Sequence, residues 1–169
     1  MAELVQEPES LIPAQLVQWD TIRRLATLVL GNGVLCTALA QPNGEVLVQA
    51  SVCDGDFPYR TSSVSLRLAS EVQSRLCSLC ALARVLLERR LEMEDERMER
   101  GDTEIPATVF TFNIPDEHLC MVVSATTSFL PFVAILDTKA CEETGAACAK
   151  VEAAVEAISA ALEPAFPVS

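Results

Sequence analysis

Residues 35–51 read LCTALAQPNGEVLVQAS. Two short apolar runs flank Pro42-Asn43-Gly44, and Asn and Gly accept the positive φ that a tight hairpin turn requires. The stretch predicts a β-hairpin with strands at 34–40 and 46–50. The first strand is apolar at nearly every position, which predicts cover on both of its faces.

Upstream, Leu16, Trp19, Ile22, Leu25, Ala26 and Val29 recur at intervals of three and four, so 13–30 reads as an amphipathic helix. Pro13 suits its first turn, and Gly31-Asn32-Gly33 supplies a stop. Residues 1–12 are polar, a flexible N-terminal segment. Downstream, 53–60 is a loop, and Thr61, Ser62 or Ser63 can cap the next helix. That helix is expected to run unbroken from 63 past 90. Its stretch 76–87, LCSLCALARVLL, is apolar almost all the way round, with only Ser78 and Arg84 polar. A helix lying on one sheet needs a single apolar stripe. This one calls for a second cover, which a protein partner supplies best.

Residues 88–104, ERRLEMEDERMERGDTE, hold eight acids and four Arg. They read as a solvated helical extension ending near Gly101, or as disorder. The segment is expected to be removable without loss of the fold, since changes in loop length cost little entropy. After Pro106 come strands at 107–114, 118–125 and 132–136, then an Ala-rich amphipathic helix at 141–162 that Pro164 and Pro167 terminate. The domain is thus 13–164, with a tail at 165–169.

The composition suits one globular core: 169 residues, 50% apolar, 5% aromatic. The net charge of −12, with only 12 Lys and Arg, disfavours a nucleic-acid or anionic-lipid surface. No apolar run would span a bilayer, and the N-terminus lacks a signal-peptide core, so a soluble cytosolic protein is expected. Seven cysteines lie largely within apolar runs, where Cys acts as a small buried hydrophobe. Cys77 and Cys80 have metal spacing but sit mid-helix, and zinc needs four ligands. His118 is the single histidine, and no GxSxG elbow accompanies it. Asp54-Gly55-Asp56 is too short for a calcium loop. Gly31-Asn32-Gly33 follows a helix and lacks the GK[ST] of a phosphate loop. No catalytic, cofactor or metal residue is therefore assigned, and no cofactor is expected.

The element order is helix, two strands, helix, three strands, helix. Through GVLCTALAQPNGEVLVQAS at 33–51, the helix from Ser63, ATVFTFNIPDEHLCMVVSA at 107–125 and LPFVAILDTKACEETGAACAKVEAAVEAISAAL at 130–162, the chain resembles the roadblock/dynein light chain family. Within that family it is most similar to a roadblock subunit of the Ragulator (LAMTOR) scaffold. The FVAILDTKACEETG segment and the ending ALEPAFPVS carry that likeness. Relative to the family pattern, 88–104 is an acidic insertion.

The resemblance implies an α/β (α+β) fold of the roadblock, longin and profilin kind. Its five-stranded antiparallel sheet would have two helices on one face and the long helix on the other. It implies homo- or heterodimerisation with another roadblock-fold protein through the long helix and the third strand. On that geometry the interface candidates are Leu76, Leu79, Leu82, Ala83, Val85, Leu87, Phe110 and Phe112, and Leu79→Asp or Ala83→Asp is expected to break assembly. By implication the function is that of a non-enzymatic scaffold supporting Rag-type small GTPases in nutrient signalling to the TOR kinase. Its place would be peripheral, on late endosomes or lysosomes, through a lipid-anchored scaffold subunit. The alternative within the same fold is a dynein light chain that tethers cargo. A small enzyme finds little support in the residue inventory.

Overall fold

A computed structural model describes residues 17–114, 117–140 and 144–163. The N-terminal segment, the Pro13 start of the first helix, Pro115-Asp116, Cys141 and the tail lie outside the described residues. The elements are α1 (Trp19–Thr27), β1 (Val34–Ala40), β2 (Val46–Ser51), α2 (Ser63–Ser74), α3 (Leu76–Glu99), β3 (Val109–Ile114), β4 (Leu119–Ala125), β5 (Pro131–Asp137) and α4 (Thr144–Leu162).

The hairpin forms, but only Gly44 takes the positive φ expected of both turn residues, and Asn43 contributes through its side chain. Gln41 N donates to Glu45 O at 2.8 Å, Gly44 N donates to Gln41 O at 2.9 Å, and Asn43 Oδ1 accepts from Glu45 N at 2.9 Å. Gly44 sits at φ 91, and a Cβ there would lie 3.0 Å from Ala81 Cβ on α3 and 3.2 Å from Ala81 Cα. Both the turn and the approach of α3 therefore need glycine. Gly44→Ala is expected to cost about 1–3 kcal/mol in urea unfolding, from left-handed strain and the close contact. An unchanged midpoint would show that the turn relaxes freely.

The five strands form one sheet in the order β2-β1-β5-β4-β3, with every pair antiparallel. β5 inserts between β1 and β4, so the hairpin at 35–51 and the pair β3–β4 become the two flanks of one sheet. β1 and β5 are buried at every position. α1 and α4 pack together on one face, and α2 and α3 cover the other. Each face thus carries two helices, because the single helix expected from 63 onward is divided. The break falls at Arg75 (φ −112, ψ 9). α2 lies on β1, whereas α3 goes on across β5 and β4, and the break lets one helical run follow both. Arg75 marks the bend with an ion pair to Glu117. Ser62 caps α2, its Oγ accepting from Ser65 N at 3.1 Å.

α3 continues through the acidic segment to Glu99 and ends against Gly101 at φ 87. Glu92, Asp95 and Glu96 are solvated as their charges demand. Other residues of the segment meet the rest of the chain. Leu91 packs half-buried against the core, and the Arg90 guanidinium stands 4.9 Å above the Phe110 ring. Glu94 Oε1 accepts from Ala107 N at 3.0 Å, which ties α3 to the start of β3. Excision of 88–104 would remove all three contacts, so the helix is more than a solvated spacer.

Arg97 closes this end by pairing with Glu94 and Asp102, each at 2.8 Å. Hydrogen bonds from Arg97 hold both carboxyls below their ordinary range. A carboxyl whose pKa is lowered by folding stabilises the fold above its unfolded pKa, and that contribution is lost as pH falls through the folded value. The junction of α3 and β3 should therefore loosen only below about pH 4, the ordinary carboxylate range. A carboxyl NMR titration is expected to show Glu94 and Asp102 moving back up toward that range in Arg97→Ala. Curves identical to wild type would show that the pairing is not formed in solution.

Candidate partner interface

α3 presents two apolar sides, and the sheet takes one of them. Leu76, Leu79, Cys80, Ala83 and Leu87 are buried against the strands. On the opposite side Leu82 and Val85 remain 46% and 52% exposed. Ser78, Leu82, Val85 and Arg89 follow one another at spacings of four, three and four, the seam that a second helix fits. Met93 continues it, and Val64 and Leu66 expose further apolar surface on α2. The Arg84–Glu88 pair, at 2.7 Å, flanks the seam with charge.

β3, at the sheet edge, offers the second element. Its side away from β4 has no strand partner among the described residues. Phe110 is buried beneath Arg90, and Phe112 is half-buried against the core. Of the eight candidates drawn from the sequence, Leu76, Leu79, Ala83, Leu87 and Phe110 thus serve the chain's own core. Leu82 and Val85 face outward, and Phe112 lies between the two conditions. Val64, Leu66 and Met93 escaped the sequence reading, because scattered apolar residues on a polar helix give no periodic signal.

The remaining motifs have local partners. Asp54 and Asp56 both pair with Arg23, at 3.2 and 2.8 Å, and the hydrogen bond from Arg23 holds Asp56 low. Cys77 is exposed while Cys80 is buried, with desolvation pushing the Cys80 thiol up to about 12. The pair thus straddles the edge of the buried face, in the first turn of α3 and not mid-helix as the sequence suggests. His118 occupies a left-handed turn at φ 54, where its carbonyl accepts from Thr138 N at 2.9 Å and Thr138 Oγ1 at 2.8 Å. Gly31-Asn32-Gly33 passes through φ values of 98, 52 and 98 to reverse the chain before β1. Among the described residues no group of three or more His, Cys, Asp or Glu could hold a metal. No described helix is long and apolar enough to cross a membrane. What the arrangement offers is surface: a half-apolar helix seam beside an open strand edge.

No family model matches the sequence, and no curated protein matches it. Solved structures do. MglB in a tetrameric arrangement superposes with a TM-score of 0.59 at 14% identity, covering 87% of this chain and 91% of that one. Myxococcus xanthus MglB gives 0.59 at 13% identity, over 98% and 99% of the two chains. A Roadblock/LC7 domain from Streptomyces avermitilis gives 0.51 at 12% identity, over 83% and 96%. At such identities the likeness is one of backbone architecture. The chain has the five-stranded antiparallel α+β fold of the roadblock/longin type, shared with the Roadblock/LC7 domain and MglB.

Proposed function

We propose that the chain is a non-enzymatic adaptor subunit that pairs with a second roadblock-fold protein and supports the regulation of a small GTPase. One observation carries the reading: Leu82 and Val85 stand exposed in a seam along α3, with the open edge of β3 in the same molecule. A partner helix laid in that seam and a strand added to that edge would give α3 its second cover. A stable interface of this kind buries about 800 Å² per partner. The finer reading, a Ragulator-type subunit serving Rag-type GTPases and TOR signalling through a lipid-anchored scaffold, rests on the FVAILDTKACEETG segment at 132–145.

The test is the particle mass by light scattering, for the chain alone and coexpressed with roadblock subunits of the Ragulator scaffold. The resulting pair is then assayed for binding to Rag-type GTPases. A two-chain particle that retains the GTPase is the expected result. A folded protein with the mass of one chain under every condition would overturn the pairing. A pair that binds dynein intermediate chain and no GTPase would transfer the reading to the motor light chains.

A further inference from the structure

On the face opposite α3, a groove runs between α4 and the β3–β4 flank of the sheet. It consists of two hollows of about 600 and 380 Å³. Thr108 and Glu152 line both, so the hollows adjoin. The groove follows α4 from Gly145 to Glu163, about 27 Å at the helical rise. Ala125, Val155 and Ala160 give it apolar lining, and Glu152, Glu156 and Glu163 acidic lining. No ion pair among the described residues engages these three glutamates, and no Lys or Arg lines either hollow.

One end of the groove is closed by the turn between β4 and β5. Thr127 lines it there, with its N–H donating to Ser159 Oγ on α4 at 3.1 Å. Two residues on, Phe129 stands 76% exposed at φ 66, a backbone region that bulky side chains avoid. Thr126 holds this turn, its carbonyl accepting from Phe129 N at 2.9 Å and its Oγ1 from Leu130 N at 3.1 Å. The ring thus stands in water on a turn held by Thr126, two residues from the lining residue Thr127.

We propose that this groove docks a basic amphipathic helix of a partner protein. The helix would lay its apolar side on Ala125, Val155 and Ala160. Its Lys or Arg residues would meet Glu152, Glu156 and Glu163, whose spacings of four and seven match one helical face. Phe129 would cap its end. The net charge of −12 would speed the encounter. The site lies across the sheet from the α3 seam, so it goes beyond the pairing proposed above and does not depend on it.

The test uses fluorescence anisotropy of the full chain with a labelled helical peptide of about 18 residues. The peptide carries lysines at four- and seven-residue spacings beside an Ala/Leu face. A shuffled peptide of identical composition is the control, at about 150 mM salt to screen bulk attraction. The patterned peptide is expected to bind about tenfold or more tighter than the shuffled one. Glu152→Lys with Glu156→Lys should weaken it by a similar factor, and a peptide with Glu at the lysine positions should restore binding. Phe129→Ala should weaken it about threefold or more. Circular dichroism confirms that these surface variants fold. Equal binding of the shuffled peptide, absent binding, or unchanged affinity in the charge-reversed variant would overturn the proposal. So would a smaller particle mass for that variant without peptide, since a second copy of the chain would then be the occupant.

Discussion

Ala83→Asp is expected to leave no cooperatively folded protein. Ala83 is fully buried where α3 crosses the sheet. An unpaired carboxylate there costs several kcal/mol, against a total stability of about 5–15 kcal/mol for a domain. Protonation does not rescue the site, because the added atoms still overpack a closed contact. Leu79→Asp, at a position 4% exposed, should behave alike, and Leu79→Ala should cost about 2–5 kcal/mol through the cavity it leaves. Soluble yield and the thermal transition by circular dichroism measure the effect. A sharp transition within a few degrees of wild type would mean that α3 does not dock as described. On sequence alone these substitutions were expected to act on assembly. The structure moves their effect to the fold itself.

Leu82→Asp combined with Val85→Asp should give the opposite phenotype: a folded chain that has lost its partner. Both side chains already meet water, so the isolated chain loses little, and surface substitutions usually stay within about 0.5 kcal/mol. In the proposed pair the same carboxylates would replace the apolar contacts of the seam and lose water against a facing helix, which is enough to weaken association strongly. The expected readings are an unchanged circular dichroism spectrum and a particle mass reduced to one chain. If the double variant keeps the wild-type mass, the α3 seam is not the interface. If it fails to fold, the seam belongs to the core. Adjacent residues, Leu82 and Ala83, thus separate assembly from folding by their two distinct outcomes.

Much of this architecture is written locally. Gly44 marks a tight turn because few residues tolerate its positive φ, and the unbroken apolar run of β1 announces cover on both faces. The four-residue spacing of Ile22 and Ala26 marks the buried stripe of α1. The alternating four- and three-residue spacing of Ala147, Val151, Ala154 and Ile158 does the same for α4. Element types and their order, and from them the fold class, were legible for these reasons.

Other features have no local signature. The division of α2 from α3 at Arg75 occurs without Gly or Pro, because a helix crossing from β1 onto β5 and β4 must bend wherever the sheet requires it. The ties of Leu91, Arg90 and Glu94 were hidden for a related reason. A charged helix looks solvated until the strand that it touches, β3, has been placed beside it.

The sequence by itself determined the elements apart from the break at Arg75, the hairpin turn, the acidic surface and the presence of an apolar helix at 76–87. Which side of that helix faces out was decided only by the tertiary structure. A segment apolar all round has no preferred face, so local periodicity carries no instruction. The choice falls where backbones can come closest: Gly44 and Ala81 let α3 settle against the hairpin, and Ala83 lies buried on the sheet. That docking turns Leu79 and Leu87 inward and leaves Leu82 and Val85 in water.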